Sequence, residues 1–177
     1  MKKLKNIALL FWLIPSLTSH AHDVSSVKED VPTEIQIACN KYGKEYGIRP
    51  ELLEAVCWKE SRYQEGITDK SKTCFGLMQI KASCHRDRMK RLGVIDLYDI
   101  DSNIHVGADI LADLFDDYED EGLVLMLYHG EKGAVGKAKR GKISGYATEI
   151  IELSNELEEL HIGGNSYVDI RKLNRCK

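Results

Sequence analysis

"AVCWKESRY", residues 55–63, ends an apolar helical run with a glutamate. Leu53, Val56, Cys57 and Glu60 are spaced so that all four share one face of an α-helix. That face points toward a core, so the sequence aims a carboxylate inward. Two effects then favour the neutral acid. Burial disfavours the anion and raises a carboxyl pKa, and the last turn of a helix carries the negative end of its dipole. A glutamate that keeps its proton near neutral pH can donate it, which is what a general acid for glycosidic bond cleavage must do. The same stripe also allows a helix-end glutamate turned to solvent or held in an ion pair.

Outward from this stretch the chain reads as helices joined by short loops. Thr33 is expected to cap a helix to about Tyr46, stopped by Gly47. Pro50 opens the helix that ends near Ser61. Residues 64–83 have no helical period and carry Gly66 and Gly76, so a loop with a short strand at 76–80 is predicted. A short basic helix over 85–92 ends at Gly93. Asp101 or Ser102 is expected to cap a long helix with the stripe Ile104, Gly107, Ala108, Leu111, Phe115 and Tyr118. "GLVLMLYHG" (122–130) is apolar without a period, which fits a buried strand or a buried helix. After a glycine- and lysine-rich stretch over 130–145, Tyr146, Ile150, Leu153, Leu157 and Leu160 mark a last amphipathic helix, broken at Gly163-Gly164. The fold class is mainly α, in one domain without internal repeats.

The first 21 residues read differently. Lys2, Lys3 and Lys5 precede an apolar stretch from Ile7 to Ile14, and Ser19-His20-Ala21 offers small residues for cleavage. This pattern is a secretory signal peptide, too short in its apolar part to span a bilayer. The chain is therefore expected to be exported to the periplasm, cell envelope or exterior, without stable membrane insertion after cleavage. Without the three signal lysines, 22 basic residues face 28 acidic ones, a net charge near −6, which argues against a nucleic-acid partner. Basic patches remain at 85–91 and 137–142; each can meet an anionic polymer or form a solvated surface. Export permits disulfides. Cys39 and Cys57 lie nine residues either side of Ile48 and would stand opposite each other in an antiparallel helix pair; Cys74 and Cys84 bracket the short-strand segment. Both pairings are open, and Cys176 makes the count odd. No cysteine spacing suits a zinc site.

Four segments together resemble a known family: "YGIRPELLEAVCWKESRY" (46–63), "GLMQI" (76–80), "DSNIHVGADIL" (101–111) and "LMLYHGEKGAV" (125–135). Their order and spacing are similar to those of the lytic transglycosylase domain of the soluble type, related to goose-type lysozyme. The resemblance covers about 35–155. It implies an α+β lysozyme-like fold with a cleft for peptidoglycan glycan strands. It also implies cleavage of the β-1,4 bond between N-acetylmuramic acid and N-acetylglucosamine, leaving 1,6-anhydromuramoyl ends with no metal or other cofactor. Glu60 matches the family's catalytic glutamate. By the same resemblance Ser61 lines the cleft, Gly76, Leu77, Met78, Gln79 and Ile80 form one wall, and the Tyr128 hydroxyl reaches the glutamate. Tyr146 matches an aromatic near the cleft, and Asn103 and Gly107 support the site. Ser61 can also be a helix-end hydroxyl, and Met78, Tyr128 and Tyr146 can also be core.

The chain departs from the family at His129, where asparagine is usual, and after GLMQI, where "KASC" replaces the usual proline and threonine. The expected organisation is a signal peptide over 1–21, a flexible segment over 22–32, the domain over 33–162 and a tail over 163–177. Two other readings stay open: a goose-type hydrolase, with Asp69 and Glu65 as the nearest further acids, and a non-catalytic glycan-binding or secretion-apparatus protein. A secretion or conjugation apparatus is a further partner that the family allows.

Overall fold

The computed structural model describes residues 31–162; the residues read as signal peptide, the 163–177 tail and Cys176 lie outside them. The first helix, α1 (Thr33–Tyr46), ends at Gly47, which adopts the left-handed conformation with φ 69°. The chain turns there and enters α2 (Pro50–Ser61) with proline in the first helical turn. Pro32, not Thr33, holds the N-cap position of α1.

The loop segment differs from its prediction. Two two-residue strands, β1 (Cys74–Phe75) and β2 (Ile80–Lys81), pair antiparallel with Cys74 opposite Lys81. Residues 76–79 are therefore the turn of a hairpin, not a strand. A 3₁₀ turn over Ala82–Cys84 leads into α3 (Arg86–Leu92). Helix α4 (Ile100–Asp117) is capped by Asp99, whose carboxylate accepts the Ser102 N–H at 2.9 Å. Asp101, one of the two expected caps, instead accepts the Tyr42 hydroxyl at 2.6 Å and pairs with Lys41 at 2.9 Å. The apolar run at 122–130 resolves as a helix, α5 (Glu121–Tyr128), capped by Asp120. A short α6 (Ala134–Ala138) falls in the glycine- and lysine-rich stretch, and α7 (Gly145–Ile162) follows.

Helix α2 packs on α1 and α7, while α4 packs on α1 and α5. The core joins Leu52, Leu53 and Val56 to Ile104, Leu111, Leu125, Met126 and Ile150. The α7 stripe is buried at Ile150, Leu153 and Leu157, but Leu160 is half exposed. Arg49, just before α2, reaches Glu158 at 2.7 Å, Ser154 Oγ at 3.1 Å and Glu121 at 3.2 Å, tying three helices at one end.

Asn103 fixes the hairpin to α4. Fully buried, it accepts the Met78 N–H at 2.8 Å and donates to the carbonyls of Leu97 at 2.7 Å and Phe75 at 2.9 Å. A Cβ on Gly76, at φ 71°, would overlap the Leu97 carbonyl and the Asn103 amide; one on Gly107 would overlap the Met78 sulfur. Asn103→Ala is expected to leave three backbone groups without this partner and to cost about 3 kcal/mol or more of stability. Urea unfolding measures it, and a loss below 1 kcal/mol would contradict the role given to Asn103.

Glu54 is a second buried polar group, and the sequence reading passed over it. It has no exposed surface, neither oxygen has a hydrogen-bond partner among the described residues, and burial pushes its pKa up to about 8. The folded chain therefore keeps a proton that the unfolded chain releases above about pH 4. The cost is absent below that pH and grows until about pH 8, reaching about 3 kcal/mol near pH 7. Glu54→Gln removes the titration. Compared with the variant, the natural chain should lose stability between pH 5 and pH 8; parallel stability–pH curves would refute this.

Candidate active site

Glu60 stands where the sequence aims it. Leu53, Val56 and Cys57 are fully buried, and Glu60, one turn further, is half-buried and lines a cleft of about 560 Å³. Asp69, Gln79, Lys81, Tyr128 and His129 also line this cleft. A larger groove along α1 and the 47–50 turn contains none of these residues.

Burial raises the Glu60 pKa, while the hydrogen bond from Tyr146 and the nearby His129 and Lys59 pull it down. Tyr146, at the start of α7, donates its hydroxyl to Glu60 Oε1. The His129 ring stacks on the Tyr146 ring, with centroids 3.9 Å apart and planes 17° from parallel. Lys59 stands 5.9 Å from the centre of the Tyr146 ring and pairs with Glu149. Tyr146 is thus fixed by its neighbours and holds one glutamate oxygen in place. Burial and the Glu60 charge drive the Tyr146 hydroxyl far above its ordinary pKa, so it stays a donor.

Tyr128 does not make the contact expected of it. Its hydroxyl donates to the Met78 carbonyl at 2.8 Å, bracing the hairpin turn from the cleft side. It remains close enough for the Glu60 charge to help burial raise its pKa. The tyrosine that bonds Glu60 comes from α7, because α7 packs along α2 and brings its first turn to the end of that helix. Sequence spacing alone had no means to rank the two tyrosines.

Three other expected positions serve the frame. Ser61 is buried, and its hydroxyl donates to the Cys57 carbonyl at 2.9 Å within α2. Met78 is buried with its sulfur against Gly107, so it meets no sugar. Gly76 allows close approach to Leu97 and Asn103 behind the wall, not to a ligand in front of it. Gln79 does line the cleft; it sits at φ 48°, and its side-chain amide donates to the Gly76 carbonyl at 2.9 Å. The sequence reading missed Lys81, His85 and Ile110 as cleft residues. Of these, Lys81 had a signal, since it directly follows the wall motif.

Asp69, the other acid facing the cleft, is fully engaged. One oxygen accepts the N–H groups of Thr73 and Cys74, each at 2.6 Å, and the other accepts the Ser71 N–H at 3.0 Å and the Ser71 hydroxyl. The Ser71 hydroxyl, followed by the Cys74 and other backbone N–H groups, holds its pKa well below the usual carboxylate range. Asp69 is a loop anchor and a very weak base. Glu65 lies outside this cleft.

Cys39, Cys57, Cys74 and Cys84 are free thiols in the structure, so neither expected disulfide is seen there. Cys74 and Cys84 both line the cleft. Two of the four basic side chains Arg86, Arg88, Lys90 and Arg91 are paired: Arg88 with Asp109 and Asp113, and Arg91 with Asp109.

Tyr146→Phe deletes the hydroxyl that favours the Glu60 anion. The Glu60 pKa, followed by NMR of its side-chain carbonyl carbon, is expected to rise in this variant, with the fold unchanged. Tyr128→Phe should instead cost about 1 kcal/mol of stability through the lost Met78 bond. An unmoved Glu60 titration in Tyr146→Phe would break the assignment.

Comparison with known proteins agrees with this geometry. A family model described as the transglycosylase SLT domain matches residues 37–150. A protein of Escherichia coli named X polypeptide is 38% identical over 79 residues, covering 41% of this chain and 46% of that protein. A transglycosylase of Enterobacteria phage PRD1 is 33% identical over 104 residues, covering 56% of this chain and 37% of the phage protein. The chain thus spans less than half the length of these relatives. The solved lytic transglycosylase Slt of Pseudomonas aeruginosa superposes with a TM-score of 0.51 at 16% identity, over 70% of this chain and 21% of that one. That likeness concerns the fold, which is mainly α and lysozyme-like. The family match covers more than half of the sequence, includes Glu60 and every cleft residue described above, and shows that the chain belongs to the transglycosylase SLT domain family.

Proposed function

We propose that this chain is a peptidoglycan lytic transglycosylase in which Glu60 acts first as acid and then as base. The carrying observation is a single usable carboxyl in the cleft. Glu60 is partly desolvated and held at one oxygen by Tyr146, while hydrogen bonds saturate Asp69. The free oxygen of Glu60 carries the proton and delivers it to the bridging oxygen as the bond from C1 of N-acetylmuramic acid to that oxygen breaks. The resulting carboxylate takes the proton of the C6 hydroxyl, whose oxygen bonds to C1. Glu60 returns to the acid form and no water is consumed. Intramolecular attack gains from proximity, because the nucleophile is already tethered to the reacting ring. A hydrolase needs a group that activates water, and an aspartate whose lone pairs are occupied is a poor choice.

Gln79 and His129 line the same cleft as Glu60 and are positioned for contact with sugar hydroxyls or acetamides. The signal peptide read over 1–21 supports action in the cell envelope, on glycan strands. A secretion or conjugation apparatus is a further partner consistent with export. Among the described residues, no helix is long and apolar enough to cross a membrane.

The Pseudomonas aeruginosa structure is that of an inactive mutant with glutamine in place of a glutamate; the matching test here is Glu60→Gln. Removing a general acid is expected to lower turnover of purified peptidoglycan by about 10²–10⁴-fold with the fold unchanged. Mass spectrometry of the natural chain's products should find 1,6-anhydromuramoyl ends, lighter by one water than hydrolytic ends and resistant to borohydride. Reducible ends carrying the extra water would make the protein a lysozyme. Full activity in Glu60→Gln would remove Glu60 from the mechanism.

A further inference from the structure

One turn before Glu60, inside the α1–α2 hairpin, lies a polar cluster that the proposed chemistry does not use. Cys39 of α1 and Cys57 of α2 have no exposed surface and lie on two helices that pack against each other. Glu54, three residues before Cys57 and so on the same face of α2, is equally buried, and neither of its oxygens is hydrogen-bonded among the described residues. The Tyr63 hydroxyl is also buried without a partner among the described residues. Glu51 and His161 border the cluster: they bond each other at 2.8 Å, and His161 Nε2 stands 3.8 Å from Glu54 Oε2.

Buried groups without hydrogen bonds weaken the interface that holds them. A thiol is too weak a donor or acceptor to compensate, whereas a covalent bond between the sulfurs would. We propose that Cys39 and Cys57 form a disulfide that staples α1 to α2, made while the chain folds by exchange with an external disulfide. The partner is a low-molecular-weight disulfide or a disulfide-bearing oxidoreductase. One cysteine thiolate attacks a sulfur of the partner and releases its first thiol. The other cysteine thiolate attacks the mixed disulfide and releases the second. The two cysteines are oxidised, the partner is reduced, and their two protons end on its two thiols.

The closed fold disfavours this exchange. Both sulfurs are out of reach of a reagent, and burial, with Cys57 and Glu54 nearby, pushes the Cys39 thiol up, so thiolate is scarce. The link therefore belongs to the folding reaction. It spans 18 residues of chain around the Gly47 turn, short enough for the two helices to bring the sulfurs together as the hairpin forms.

The test uses the full chain, reduced and denatured, then refolded in a mixture of reduced and oxidised glutathione. Peptide mapping without reduction should recover Cys39 joined to Cys57, two hydrogens lighter than the two thiol peptides. Adding reductant should lower the Tm of the linked protein by about 10 °C. Oxidised glutathione given to the folded, reduced chain should form the link at least tenfold more slowly. A Cys39→Ser, Cys57→Ser double variant should show no such reductant-dependent shift in Tm. The proposal is overturned if both cysteines are recovered as thiols, or are bonded to Cys74, Cys84 or Cys176. Equal linking rates in the folded and refolding chains, or a link that leaves the Tm unchanged, would also overturn it.

Discussion

The three hydrogen bonds of Asn103 hold the cleft wall to the helical body. The hairpin has only two residues per strand, too few to stand by its own pairing. A single buried amide ties both sides of its turn to α4 and the segment before it. Gly76 and Gly107 are glycines because that attachment leaves no room for a Cβ. Tyr128 adds a bond from α5 to the Met78 carbonyl. The wall is therefore rigid although it is mostly turn, and Gln79 and Lys81 keep fixed places along the cleft.

The opposite side of the cleft is built on α2. The stripe that buries Leu53, Val56 and Cys57 carries Glu60 to the edge of the core. There the carboxyl is desolvated enough to favour its proton and open enough to pass it on. Tyr146, backed by the His129 ring, limits the rise in pKa and fixes one oxygen. Acid and base work by one residue needs this balance: a fully buried glutamate such as Glu54 holds a proton but has no route to a substrate.

Much of this was legible in the chain. The helical period gave the two long helices and the inward Glu60, since side-chain spacing and apolarity suffice to define a buried face. Pro50, Gly47 and Gly93 marked helix ends for local reasons of backbone geometry. The 122–130 run stayed ambiguous because a segment buried on several sides shows no period. The wall motif suggested a strand, yet its middle is a turn with Gln79 at positive φ, closed by bonds from Gln79 to the Gly76 carbonyl and anchored at Met78 by Asn103.

The sequence by itself determined the helical class, the approximate helix ends and the inward aim of Glu60, because these follow from contacts within a few residues. Tertiary structure decided which tyrosine bonds Glu60, that Met78 and Ser61 face the core, and that Asp69 spends its lone pairs on its own loop. It also exposed the buried company of Glu54 and Cys57. Those outcomes depend on which helix packs against which and on the burial that results, and spacing along one chain carries no measure of either.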